Sequence, residues 1–153
     1  MTTTTERRSV QYKSLEEALA DAEQRAAQQS PTTGQWSLGQ IFEHLARTVD
    51  KSIDGFETKS PIHIRIVAWL FLKKRLLRDG LPSGYQLKGK SADEMVPGET
   101  STEDGLEHLR RAVARYSTET KRSPHPAFGA LTAEEWETLH LHHFALHMSF
   151  VAD

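Results

Sequence analysis

The segment Thr132-Ala-Glu-Glu-Trp136-Glu-Thr-Leu-His140-Leu-His142-His143-Phe-Ala-Leu-His147-Met-Ser-Phe150 opens with a helix start and keeps a helical period to its end. Thr132 followed by Glu135 fits a capping box, in which the Thr oxygen takes the amide three residues on and the Glu side chain reaches back. Trp136, His140, His143, His147 and Phe150 then recur at spacings of 4, 3, 4 and 3. That is the period of a stripe facing a core. Histidines therefore stand where Leu or Ile would ordinarily pack. Four of the eight histidines of the chain fall between His140 and His147, far more than an even scatter gives.

The rest of the chain repeats the helical pattern. Ser14-Leu-Glu-Glu17 and Ser37-Leu-Gly-Gln40 are further capping boxes, and Ser101-Thr-Glu-Asp104 is a looser version with acidic residues in its first turn. Each precedes an apolar stripe: Leu15, Leu19, Ala22 and Ala26; Leu38, Ile41 or Phe42, Leu45, Val49, Ile53 and Phe56; Leu106, Leu109, Val113 and Tyr116. A further helix is expected from Pro61 to Asp79, opened by Pro61 and closed by Gly80 and Pro82. Turn chemistry marks Ser30-Pro31 to Gly34, Leu81-Pro-Ser-Gly84, Pro97-Gly98 and Ser123-Pro-His-Pro126. No segment alternates with period two for long enough to predict a strand. The expectation is all-α: five helices in one bundle, with a long loop from Gly80 to Thr100 framing a site.

Composition sets outer limits. The 153 residues suit one domain, expected over 13–153 behind a flexible Thr-rich tail over 1–12 that lacks the apolar region of a signal peptide. Nineteen basic and twenty-one acidic residues leave a net charge of −2, which argues against nucleic-acid binding through global positive charge. The longest apolar run, Ile62–Leu72, is 11 residues interrupted by His63 and Arg65. A membrane span needs ~20, so the run is expected to be buried or interfacial, with no membrane partner. The chain has no cysteine, which removes disulfides, thiol nucleophiles and thiolate metal sites and gives the cytoplasm as the expected location.

Any transition-metal site must then use imidazole and carboxylate. Residues four apart on a helix stand ~5–6 Å apart at Cβ, so His143 and His147 can converge on one ion. His140 is the backup and His142 points elsewhere. A third ligand must come from another helix, and His44 lies mid-helix beside the stripe of Ile41, Leu45 and Val49. Three imidazoles with open positions suit Zn, Ni, Fe or Co. Hydrogen-bonded core histidines would produce the same spacing, and both readings stand at this level.

Trp36-Ser-Leu-Gly-Gln-Ile-Phe-Glu-His44-Leu-Ala, Ser52-Ile-Asp-Gly-Phe56, Pro124-His-Pro-Ala-Phe-Gly129 and Leu131-Thr-Ala-Glu-Glu-Trp136 with His143 and His147 together resemble the DinB/YfiT-like superfamily, in a bacterial branch of unknown function. The similarity runs from about Arg7 to Phe150. It implies a four-helix bundle with up-down-down-up connection, here with one additional helix and a long loop, and a divalent metal (Zn, Ni or Fe) held by His44, His143 and His147. Relatives include thiol-dependent transferases and isomerases using bacillithiol, mycothiol or glutathione, so a small thiol cofactor, a small-molecule substrate and a homodimer through the helix from Pro61 are implied. The last helix of such proteins often carries an extra histidine just before the second ligand, where this chain has Leu146. The helix Pro61–Asp79 is an elaboration of the branch, to which no substrate contact carries over.

Other residues read more plainly. His125, between two prolines, is expected to stiffen a loop with Phe128 packed inward, the other reading being an imidazole at the mouth of the site. Trp36 and Trp136 are expected as core or pocket wall. Lys73-Lys-Arg75 and Arg78 read as a solvated face, Glu43 and Glu107 as solvent-facing acids, and His63 and His108 have no partner pattern. Two functions follow: a metal-dependent enzyme activating water or a small thiol for hydrolysis or group transfer, or a non-catalytic metal-binding or stress-related protein of the same fold.

Overall fold

A computed structural model describes residues 7–80 and 90–153 of the chain. The described residues are all-helical, with isolated bridges Thr32–Val151 and His125–Gly129 and no strand. The helices are α1 (Leu15–Ala27), α2 (Leu38–Asp54), α3 (Ile62–Val67), a π-helical turn over Ala68–Leu72, α4 (Lys73–Asp79), α5 (Lys90–Met95), α6 (Thr102–Thr118) and α7 (Ala133–Met148). All four anticipated helix starts hold. Ser37 and Thr132 form complete capping boxes, and Ser14 and Ser101 accept the amides of Glu17 and Asp104. At the first start Glu17 takes the amide of Lys13 instead of that of Ser14. Each such cap stabilises its helix by about 1 kcal/mol.

The four longest helices form a ring in which α1 and α2 each pack against both α6 and α7. The core inside it is built from Phe42, Leu45, Val49, Leu109, Phe144 and Met148, all fully buried. Contacts between α2 and α6 advance together: Gly39 meets Gly105, His108 meets Glu43 and Asp50, and Arg115 meets Asp54. The two helices therefore run parallel. Contacts of α2 with α7 run in opposite order, His44 meeting His143 and Ser52 meeting His140, so this pair is antiparallel. The parallel pair closes tightest at its N-terminal ends. A Cβ on Gly105 would stand 2.4 Å from the Gly39 carbonyl oxygen, and one on Gly39 2.2 Å from that of Thr100. Only hydrogen fits at these positions.

Three expectations change. The helix expected over Pro61–Asp79 is present but is interrupted by the π-helical turn, and within Ile62–Leu72 only Ala68 is buried. The run carries apolar residues on every face while just one side leans on the ring, so most of them remain in solvent. The expected loop from Gly80 to Thr100 contains α5, while its turn at Leu81–Gly84 lies outside the described residues. The tail expected over 1–12 is tied down from Arg7 onward. The Arg7 guanidinium donates to Ser149 Oγ at 2.6 Å, and Arg8 pairs with Asp21 at 2.8 Å while its amide donates to the Ser149 carbonyl.

Candidate metal centre

Two helices bring the site together. His44 projects from α2 and His143 and His147 from successive turns of α7, and their candidate ligand nitrogens all lie within 4.8 Å of one another. The His143 Nε2 stands 2.9 Å from the His44 Nε2 and 3.1 Å from the His147 Nε2. Such separations approach the roughly 3.3 Å between tetrahedral nitrogens ~2.0–2.1 Å from an ion.

The surroundings suit a cation. His44 donates its Nδ1–H to the Met95 carbonyl at 2.8 Å, leaving the Nε2 lone pair directed at the other rings. This is the arrangement by which a backbone carbonyl fixes the tautomer of a ligating imidazole. Burial lowers the pKa of His44 despite the opposing Met95 contact, and the charge of Arg47 lowers it further. His147 falls to about 3 through burial, then through His44 and Arg7, and His143 falls well below the ordinary range through burial and its neighbouring imidazoles. The three rings are therefore neutral, the state that binds metal. A single N–H cannot satisfy three nitrogens that face one another, and no acid stands among them. A divalent ion would give every lone pair a partner. His143 Nδ1 is buried without a hydrogen-bond partner among the described residues.

Trp36, just before the N-cap of α2, supplies a wall. Its ring stacks on His147 at 5.4 Å and tilts against His44 at 4.8 Å. The end of α5 closes another side, since Gln40 donates to the Pro97 carbonyl and Lys51 pairs with Glu94 at 2.9 Å. Burial opposes the charge of Glu94. The Glu57 amide, Lys51 and Thr58 outweigh it and bring its pKa down to about 2. The described part of the loop thus touches the trio through the Met95 carbonyl and is fastened to α2 on either side of it.

His140, the backup ligand, is not part of the site. It is fully buried one turn earlier on α7, where its Nε2 meets Ser52 Oγ at 3.0 Å and its ring stacks on Trp136. Because Ser52 Oγ donates to the Val49 carbonyl, the His140 Nε2 carries the proton. Burial holds its pKa at about 3. His142 turns away, its Nε2 meeting the Leu77 carbonyl of α4 at 2.9 Å. His125 takes the stiff-loop role. Its Nδ1 accepts the amides of Ala127 and Phe128, it stacks on the buried Phe128, and burial lowers its pKa to about 4.

Glu43 is not solvent-facing. It accepts from Arg47 at 2.8 Å and meets His108 Nδ1 at 2.7 Å, while His108 Nε2 meets Asp50 at 2.8 Å. Burial opposes the charge on His108, but its hydrogen bonds to Asp50 and Glu43 and the attraction of both carboxylates raise its pKa. This bridge joins α2 to α6 on a face away from the trio. Its sequence signal was Glu43 and Asp50 seven apart on one face, but the partner on α6 could not be read from that spacing. Glu107 is exposed, as expected, with Arg111 at 4.0 Å. Lys73 pairs with Glu135 of α7 at 2.9 Å, so the basic run is not wholly a solvated face.

A chain whose described residues are all-helical, with three neutral imidazoles placed close enough to hold a metal ion, is the class that the fold and site define. The chain belongs to the family described as "Protein of unknown function (DUF1569)", whose model matches residues 4–153. Comparisons with curated proteins and with solved structures gave no match.

Proposed function

We propose that this chain is a divalent-metal enzyme of the DinB/YfiT-like kind, a four-helix bundle with up-down-down-up connection whose ion (Zn, Ni or Fe) is held by His44, His143 and His147. The observation that carries the reading is the meeting of the three Nε2 atoms, with the His44 tautomer set by the Met95 carbonyl. The parallel run of α2 and α6 supports the topology. Such an ion lowers the pKa of a bound water or thiol and polarises a carbonyl, chemistry that serves hydrolysis or group transfer on a small-molecule substrate. The chain's own part is to orient the ligands: Met95 holds the proton on His44 Nδ1, and Trp36 packs over His147 and shields that side from water. A thiol nucleophile would have to arrive as a small cofactor, because the chain has no cysteine. The same absence suits a reducing compartment, and the cytoplasm is part of the proposal.

Elemental analysis of untagged protein from metal-replete growth tests the site. About one ion per chain is expected in the wild type and in His140→Ala, and loss of it in His44→Ala, His143→Ala and His147→Ala. Metal-free wild type would overturn the reading. Loaded protein that stays silent against thiol-acceptor and ester substrates would leave a metal-binding protein in place of an enzyme.

A further inference from the structure

We propose that the exposed helical segment from Ile62 to Asp79 docks this protein on an anionic lipid surface. From Ile62 to Leu72 eight apolar side chains are 41–72% exposed, among them Trp69 at 60% and Phe71 at 72%. Soluble monomers rarely leave a contiguous apolar patch larger than a few hundred Å² in water, and larger ones mark interaction surfaces. No helix among the described residues is long and apolar enough to cross a membrane, so this one would lie on the surface.

Charge selects the partner. Between residues 59 and 91 the chain carries eight lysines and arginines and a single acid, Asp79, while the remainder holds eleven basic and twenty acidic residues. A nearly neutral chain is therefore strongly divided along its sequence, with its cations concentrated in the stretch that carries the apolar helix. Lys59, Lys74 and Arg75 are exposed and, like Arg65, have no carboxylate within 4 Å among the described residues. Lys73 and Arg78 are paired with Glu135 and Asp79. Aromatic and aliphatic side chains flanked by lysine and arginine on one short helix match the interface of a bilayer bearing acidic headgroups, where the apolar residues enter the acyl boundary and the cations meet phosphate. A two-fold dimer through the same helix would set one cationic segment against its copy. Nucleic acid would engage the cations but leave Ile62, Ile66, Leu70 and Phe71 in water.

The segment leans on the site helix through the His142–Leu77 and Lys73–Glu135 contacts, so docking would leave the ring intact. The full chain is tested by sedimentation with vesicles of phosphatidylcholine alone and with about 30% phosphatidylserine. Binding is expected to the anionic vesicles, weakening as salt rises, with a blue shift of tryptophan emission that disappears in Trp69→Phe. Lys74→Glu with Arg75→Glu, and separately Phe71→Glu, are expected to weaken binding at least about tenfold at unchanged helicity and metal content. Equal binding to neutral vesicles, no binding to either, or variants that bind as wild type does would overturn the proposal. A concentration-dependent dimer that buries Trp69 and leaves vesicles unbound would overturn it in favour of a second copy.

Discussion

His140 and His143 lie one helical turn apart on α7, yet one is core and the other belongs to the trio. The difference comes from what faces each ring on α2. His143 meets another imidazole, whereas His140 meets a serine hydroxyl whose own proton is committed to the Val49 carbonyl. His140 Nδ1 is buried and unpartnered, so a second proton on this ring would stand in an apolar core beside Trp136 and Tyr116. Its pKa is held at about 3, against 6.5 for a free imidazole. Between these values the unfolded chain binds a proton that the folded chain refuses, so stability is complete above about pH 6.5 and falls as pH drops towards 3. For one such ring the slope reaches about 1.4 kcal/mol per pH unit. Urea unfolding of metal-free protein at several pH values is expected to show a shallower slope in His140→Gln than in wild type. An unchanged slope would mean that His140 is not the neutral core group described.

At the scale of elements, the pairing of α2 with α6 places one wall of the site, and two glycines set how near the helices come. With a Cβ on Gly105 2.4 Å from the Gly39 oxygen, Gly105→Ala must push the helices apart at their N-terminal ends. The favourable helix propensity of alanine, about 1 kcal/mol over glycine, is expected to be outweighed by overpacking of about 1–3 kcal/mol or more. Thermal unfolding checks the sign, and a stabilised variant would refute the close approach. The element least legible in the sequence was α5, since a six-residue helix is too short to show a period. It supplies the carbonyl that sets the His44 tautomer, and a backbone group has no residue-type signal. His108 was likewise silent, because its two acids lie on another helix more than fifty residues away.

For the whole molecule, the trio is a point where one ion would tie α2 to α7 across the ring, and α1 and the segment before it already meet the end of α7 there. Arg8 joins Asp21 of α1 to the Met148 carbonyl at the end of α7, and Arg25 joins Asp21 to the Ala152 carbonyl. An ion that binds only the folded chain stabilises it by mass action, about 2.7 kcal/mol at a hundred times its Kd. Chelation is therefore expected to lower the Tm of wild-type protein and to leave that of His143→Ala unmoved. Equal responses of the two would show that the trio is not where the ion binds.

The sequence by itself determined the helical class and the start of every long helix, and it nominated His44, His143 and His147 as a candidate trio with His140 in reserve. These are properties of local order: a capping serine or threonine acts three residues away, and a stripe repeats every three or four. His143 and His147 were legible because they sit on a stripe facing inward, where an imidazole needs a reason, and His44 because it lies beside such a stripe on another helix. Tertiary structure alone decided that His140 belongs to Ser52 and not to the trio, that Glu43 answers His108 and not solvent, and that the apolar helix beginning at Ile62 stands in water. Each of these depends on which residue of a distant helix arrives opposite, and that is fixed only when the helices pack.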